Sequence, residues 1–371
     1  MGRTILGWLC LAPPDTPRQW VYGSALGLGL IGYGIFALST LHWVSSVTAL
    51  ALLGLSAVIG LPLLIQSARE LVRAARAVRI TRVSAFGVSA AGLFGLHFVV
   101  NLISCFNPPI DLDTLGYHLT IPKLNILHND FVFRTDIAFT HWPLQQEMLY
   151  QLALLVGDDA LAHLIALLIA GLAAGALWAC ARPHFAPRIA ALAALIFFTI
   201  PVVGYEASIA YVDVGVALFA LLAWFAWCEW RATRDDRWLW VSALMAGFAP
   251  ATKLSGAFVP ALLVGAVWLF APKEKNRWLC SIGYGALAGL AVAPWLIRTW
   301  LQTGNPVAPY FFDLIGARGW TAHAAHGTTT FVAFGQGHDL VAALMLPWNI
   351  TMFSTHFGGG NIGPIFLSAL P

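Results

Sequence analysis

Charge is what this chain has least of. Asp, Glu, Lys and Arg make up only 10% of its 371 residues, against about 25% in soluble globular domains. At 59% hydrophobic, a water-soluble fold of this composition would have too few polar groups to cover its surface. Cysteine is sparse too. Cys10, Cys105, Cys180, Cys228 and Cys280 are scattered through apolar runs with no CxxC pair, which argues against thiol-based zinc or redox chemistry. A net charge of +3 is too small to imply a nucleic-acid partner. The N-terminus lacks the form of a cleavable leader: its apolar stretch from Ile5 to Ala12 is short, and Pro13, Pro14 and Asp15 follow it. Residues 1–19 are expected to form a cytoplasmic or interfacial tail.

Long apolar runs fill the rest. A bilayer core about 30 Å thick takes about 20 helical residues. Runs at 20–42, 47–66, 83–106, 160–181, 187–205, 211–230, 238–250, 255–271 and 279–301 meet or approach that length, with a shorter one at 340–353. Another opens at Ile362 and is expected to be truncated at Pro371, giving about ten or eleven spans. Helix is the expectation, because an open sheet cannot satisfy its edges in lipid. The fold class is therefore an all-α polytopic membrane protein. Its expected organisation is a tail and three transmembrane helices over 1–106, an extracytoplasmic loop over 107–159, and a transmembrane bundle over 160–301. A second extracytoplasmic loop follows at 302–338, then a C-terminal transmembrane region at 339–371.

Basic residues set the orientation. Arg3, Arg18, Arg69, Arg73, Arg76, Arg79, Arg82, Arg182, Arg188, Arg231, Arg234, Arg237, Lys273, Lys275 and Arg277 fall on one side, 15 of the 20. Lys123, Arg134, Lys253, Arg298 and Arg318 fall on the other. The N-terminus is expected in the cytoplasm of a cell whose inner membrane holds the chain, with 107–159, 206–210 and 302–338 outside. The arginines of 69–82 read as a lipid-facing topology anchor.

The outer loop 107–159 holds seven of the 17 acids: Asp111, Asp113, Asp130, Asp136, Glu147, Asp158 and Asp159. Two amphipathic helices are expected in it, over 113–127 (interrupted by Pro122) and 144–156, lying on the membrane surface. His141, Trp142 and Pro143 read as the turn into the second. By pattern alone Asp113 reads first as a helix cap and Asp111 as a solvated loop residue, with a catalytic or metal-binding role the lesser alternative for both. Asp213 stands near the outer end of an apolar span, where an ionisable group faces a cavity, a partner or the interface. Lys253 lies in a tight turn between short apolar runs and Arg298 near a span end; snorkelling to the interface is the plain alternative for both. Carboxylates able to take a proton beside cations able to meet a phosphate suit a lipid-linked sugar phosphate. His323, His326 and His338 stand among glycines in 302–338, a segment suited to a lid.

These stretches resemble the GT-C superfamily of membrane glycosyltransferases, in the branch of protein O-mannosyltransferases and the bacterial lipid A aminoarabinose transferases. The matching segments are DLDTLGYHLTIPKL, HWPLQQEMLYQLALLVG, ASIAYVDVGVALFALLA, AGFAPATKLSGAF and PWLIRTWLQTGNPVAPYF, in the family's order. The resemblance implies Asp113 as catalytic base, Asp213 as a second catalytic acid, and Lys253, Arg298 and Lys123 toward the donor phosphate. Asp111, Tyr117, His118, His141 and Glu147 would line the pocket. It implies a polyprenyl-phosphate sugar donor, a lipid, polysaccharide or protein acceptor, and a divalent cation in some members. Two extra spans precede the first outer loop, and Thr114 stands where some branches have Glu after the Asp. A lipid-linked glycan transporter or a noncatalytic subunit of an envelope complex is the alternative, although the chain shows no internal repeat of the transporter kind.

Overall fold

The computed structural model describes residues 1–77, 84–134, 136–329, 335–337, 339–357 and 362–363. Arg79, Arg82, His338, the side chain of Arg76 and the run that opens at Ile362 (beyond 363) lie outside the described residues. Among the described residues there is no strand. The helices are α1 (Gly2–Trp8), α2 (Thr16–Thr40), α3 (Ser46–Ala77), α4 (Ala85–Ser104), α5 (Thr120–His128), α6 (Gln145–Val156), α7 (Asp159–Ala181), α8 (Pro187–Thr199) and α9 (Pro201–Glu206). They continue with α10 (Asp213–Thr233), α11 (Asp236–Thr252), α12 (Phe258–Phe270), α13 (Arg277–Thr303), α14 (Phe312–Ile315), α15 (Ala322–Thr329), α16 (Leu340–Leu344) and α17 (Leu346–Met352).

Local chemistry starts several of these. Asp15 caps α2 by accepting from Arg18 N at 3.1 Å, and Asp158 caps α7 by accepting from Leu161 N at 3.1 Å. Asn276 caps α13 through Trp278 N and Leu279 N, and Gly304, at φ +80°, ends it in the left-handed form that glycine adopts freely.

Among the described residues six helices are long and apolar enough to cross a membrane: Thr16–Thr40, Ser46–Leu63, Ala85–Ser104, Asp159–Ala181, Asp213–Thr233 and Arg277–Thr303. The other expected spans are shorter or broken. Pro201 splits the run 187–205 into α8 and α9, and Pro347 splits 340–353 into α16 and α17. Lys253 separates α11, 17 residues long, from the apolar Leu254–Phe270.

The helices α2, α7, α10 and α11 form the buried heart, with Trp230, Phe248 and Tyr22 in its core. The peripheral α3 and α4 keep only 11% and 6% of their apolar windows buried within the chain, leaving their faces to lipid.

One expectation is corrected here. The helix expected over 144–156 does not lie on a membrane surface; α6 is wedged inside the bundle, with Gln145 to Ala153 all buried. Its polar face is what allows this, because each amide finds a partner. Gln145 donates to Gly29 O at 2.5 Å and accepts from Trp295 Nε1 at 3.1 Å. Gln146 donates to Tyr211 O at 2.8 Å, and Gln151 joins Ser39 at 2.9 Å and Asn125 at 3.0 Å. Gly32 and Gly215 admit these amides: a Cβ at either would overlap Gln145 or Gln146.

Candidate active site at the acidic end of the bundle

The site begins with a backbone irregularity. Thr114–His118 forms a π-turn, closed by Leu119 N donating to Thr114 O at 3.0 Å. In an ordinary helix positions four apart share a face; this wider i→i+5 turn brings position five into line as well. Asp113, Tyr117 and His118 thus come to one side. Asp111 Oδ1 accepts from Thr114 N at 2.9 Å, and Tyr117 OH leans on Asp113 Oδ2 at 3.5 Å.

His118 reaches inward to α6. Its Nδ1 lies 2.8 Å from Glu147 Oε1, with both side chains buried, at 1% and 2% exposure. The tyrosine ring of Tyr117 lies on His118, centroids 4.0 Å apart, and stacks on Phe139 at 3.9 Å.

The second arm comes from α10. Asp213 is its first residue, and the extended backbone of Lys253, between α11 and the following turn, brings Nζ within 2.8 and 2.9 Å of the two Asp213 oxygens. Glu206, at the end of α9, faces Val214 N. Burial first, and then the charge of Asp213, push its carboxyl up to about 8, against the opposing pull of Lys253. Tyr211 closes the gap: its ring centroid is 5.4 Å from that of His118.

Tyr117 reports the convergence. Burial raises its hydroxyl well above the usual range, and the charges of Asp113, Glu147 and Asp213 raise it further. Asp111, Asp113, Tyr117, His118, Glu147, Asp213 and Lys253 are therefore gathered at one place.

Three residues expected with them stand elsewhere. Lys123 pairs with Asp159 at 2.8 Å on the surface. Arg298 is buried, donates to Thr140 O at 2.7 Å and lies over the Phe131 ring at 4.5 Å. It lines a groove of about 500 Å³ with Phe36, Phe133, Ile297 and Leu301, where Asp130 is the acid in reach. His141 belongs to that side: it contacts Phe133 and Trp320 edge-on, and burial lowers its imidazole below the ordinary range, opposed by the Ala138 carbonyl and aided by Arg298. The loop after α13 reaches this side through Trp320 and through Tyr310, stacked on Trp142 at 6.2 Å. On α15, His326 pairs with Asp313 at 3.1 Å. Among the described residues no three His, Cys, Asp or Glu side chains gather as a metal-ligand set.

Glu206 and Tyr211 were not singled out from the sequence. Glu206 is the sole acid of the segment 206–210, which the basic residues predict to lie outside, and stands seven positions before Asp213, a spacing that marks it as part of the same acidic group.

Fold and site together define a multi-pass helical membrane protein with an acidic cluster that includes Asp113, Glu147 and Asp213 toward one end of the bundle. Residues 143–300 match the model of the family described as dolichyl-phosphate-mannose-protein mannosyltransferase. The resemblance to GT-C membrane glycosyltransferases is shown over that stretch, which holds Glu147, Asp213, Lys253 and Arg298 and begins after Asp113. The chain is also 30% identical over 128 residues to an uncharacterized protein of Shigella flexneri, covering 33% of this chain and 63% of that relative. It thus spans less than two thirds of the relative's length. No solved structure matches.

Proposed function

We propose that the chain is a GT-C type glycosyltransferase moving a sugar from a polyprenyl-phosphate donor to a lipid, polysaccharide or protein acceptor at the outer face of the inner membrane. The observation that carries the reading is a chain of contacts across three segments: Asp113 to Tyr117, Tyr117 on His118, and His118 to Glu147, with the Tyr211 ring beside His118 two residues before the Asp213–Lys253 pair. In this reading Asp113 takes the proton of the acceptor hydroxyl as its oxygen attacks the anomeric carbon. The bond from that carbon to the phosphate oxygen breaks, and the phosphate leaves with the electron pair. Lys253, released from Asp213, meets the charge growing on it. Asp213 then orients the acceptor. The apolar groove beside Arg298 suits the carrier's isoprenoid chain, with the guanidinium as a second cation for an anionic headgroup.

The experiment is transfer from a synthetic polyprenyl-phosphate sugar panel in vesicles holding the purified chain. Asp113→Asn is expected to lower transfer by about a thousandfold with the protein still inserted and folded. Full activity in that variant would remove Asp113 from the role. Sugar crossing the vesicle with no covalent product would favour carriage instead. Chelation tests the divalent cation: loss with EDTA and recovery with Mg²⁺ would add an ion to the acids.

A further inference from the structure

The acid cluster contains a buried pair that the transfer step above does not use. His118 and Glu147 share one short hydrogen bond, 2.8 Å from Nδ1 to Oε1, and both are almost wholly buried. Their outer atoms, His118 Nε2 and Glu147 Oε2, have no hydrogen-bond partner among the described residues. Burying two such atoms carries a cost. A pair kept only to join the π-turn to α6 would be served as well by two apolar side chains.

We infer that Glu147 and His118 form a proton-handling dyad serving Asp113, an inference that rests on the transferase reading. A carboxylate at Nδ1 holds the imidazole in the Nδ1–H tautomer and leaves the Nε2 lone pair open. The π-turn brings Asp113 to the same side as His118, and Tyr117 spans the two, its hydroxyl 3.5 Å from Asp113 Oδ2 and its ring centroid 4.0 Å from that of the imidazole, with the Tyr211 ring on the far side at 5.4 Å. Once a carrier lipid and an acceptor cover the cluster, Asp113 is shut off from bulk water when it takes up the proton. The O–H bond on Asp113 then breaks as an N–H bond forms at His118 Nε2, and Glu147 offsets the imidazolium charge. Reopening of the site returns the proton to solvent. The titratable groups around the dyad are Tyr117 and Asp113 on its own turn, Tyr150 on α6, Tyr211 before α10, and Asp213 on α10. His118 and Glu147 are positioning residues in this scheme.

The test uses the full chain in nanodiscs with two readouts. In transfer assays, Glu147→Gln and His118→Gln are expected to lower kcat about a hundredfold with KM little changed. The acid limb of the kcat–pH profile should move, and Glu147→Asp should recover part of the loss. In ¹⁵N-histidine spectra, the signal missing from His118→Gln should show Nδ1 protonated and Nε2 bare, and Glu147→Gln should disturb it. Transfer that Asp113→Asn abolishes but that ignores both dyad variants overturns the dyad and leaves the transferase reading standing. A His118 signal protonated at Nε2 overturns it whatever the activity. Wild type that transfers nothing from the donor panel at any pH overturns the transferase reading, and the relay with it.

Discussion

Asp213 and Glu229 stand toward opposite ends of α10, 16 residues and about 24 Å apart, and their surroundings are built on different plans. Around Glu229 each charge has an opposite charge beside it, although Arg18 NH1 makes no well-aligned hydrogen bond among the described residues. Arg18 NH1 lies 2.6 Å from Glu229 Oε1, His184 Nε2 lies 2.7 Å from the same oxygen, and Asp15 holds the other edge of the Arg18 guanidinium, which also covers the Trp238 ring at 5.1 Å. Around Asp213 more polar atoms stand without a partner among the described residues: Asp111 Oδ2, Thr114 Oγ1, His118 Nε2 and Glu147 Oε2 are all buried. The first arrangement clamps α2, α10 and the turn after α7. The second withholds part of its hydrogen-bonding capacity, as a site kept for substrate does.

Substitutions at the two ends should therefore fail in different ways. Glu229→Ala leaves the buried Arg18 with Asp15 as its remaining carboxylate and is expected to cost about 2–3 kcal/mol of stability, read as a fall in thermal unfolding temperature in detergent. Any fall in transfer should only track the folded fraction. Asp213→Asn should do the reverse. Its pair with Lys253 is partly exposed, 44% and 30%, so the stability change is expected below about 1 kcal/mol, while transfer falls about a hundredfold. A large stability loss at Asp213, or a catalytic loss at Glu229 in fully folded protein, would erase the contrast.

Glu206 sharpens it through pH. Its folded carboxyl titrates at about 8, above the 4.5 of an ordinary glutamate. Between those values the folded chain keeps a proton that the unfolded chain has lost. The stabilisation is thus full below 4.5 and fades as pH rises through 8. Glu206→Gln should flatten that decline in a series of unfolding curves; parallel wild-type and variant curves would contradict it. The smallest effect belongs to Lys123→Ala, whose pair with Asp159 is 48% and 31% exposed. It should cost below about 1 kcal/mol and leave transfer unchanged, whereas a large loss of transfer would return Lys123 to the donor phosphate.

Much of this was legible in the residues. Apolar run lengths and lipid's demand for self-satisfied backbone predict the helices, and the outer acids mark the end of the bundle where Asp113 and Asp213 meet. Breaks at Pro201 and Pro347 were underweighted, so those runs were read as single spans. The position of α6 was hidden for a clearer reason. Gln145, Gln146, Glu147 and Gln151 look like a water-facing stripe in one dimension, and only the distant Gly29, Ser39, His118 and Tyr211 turn them inward. Arg298 and Lys253 were grouped as like cations, but pairing with Asp213 and packing on Phe131 are tertiary facts that charge counting does not carry.

The five-residue turn after Asp113 also makes the local reading frame matter. Gly116 sits in open space, where a Cβ would meet nothing within 4 Å, so no packed side chain depends on it. Shortening the turn there would return the coil to its ordinary pitch and leave Asp113 and His118 four apart, still on one face. Lengthening it by one residue at ordinary pitch would keep every side chain, yet set the two six apart and turn them to different faces.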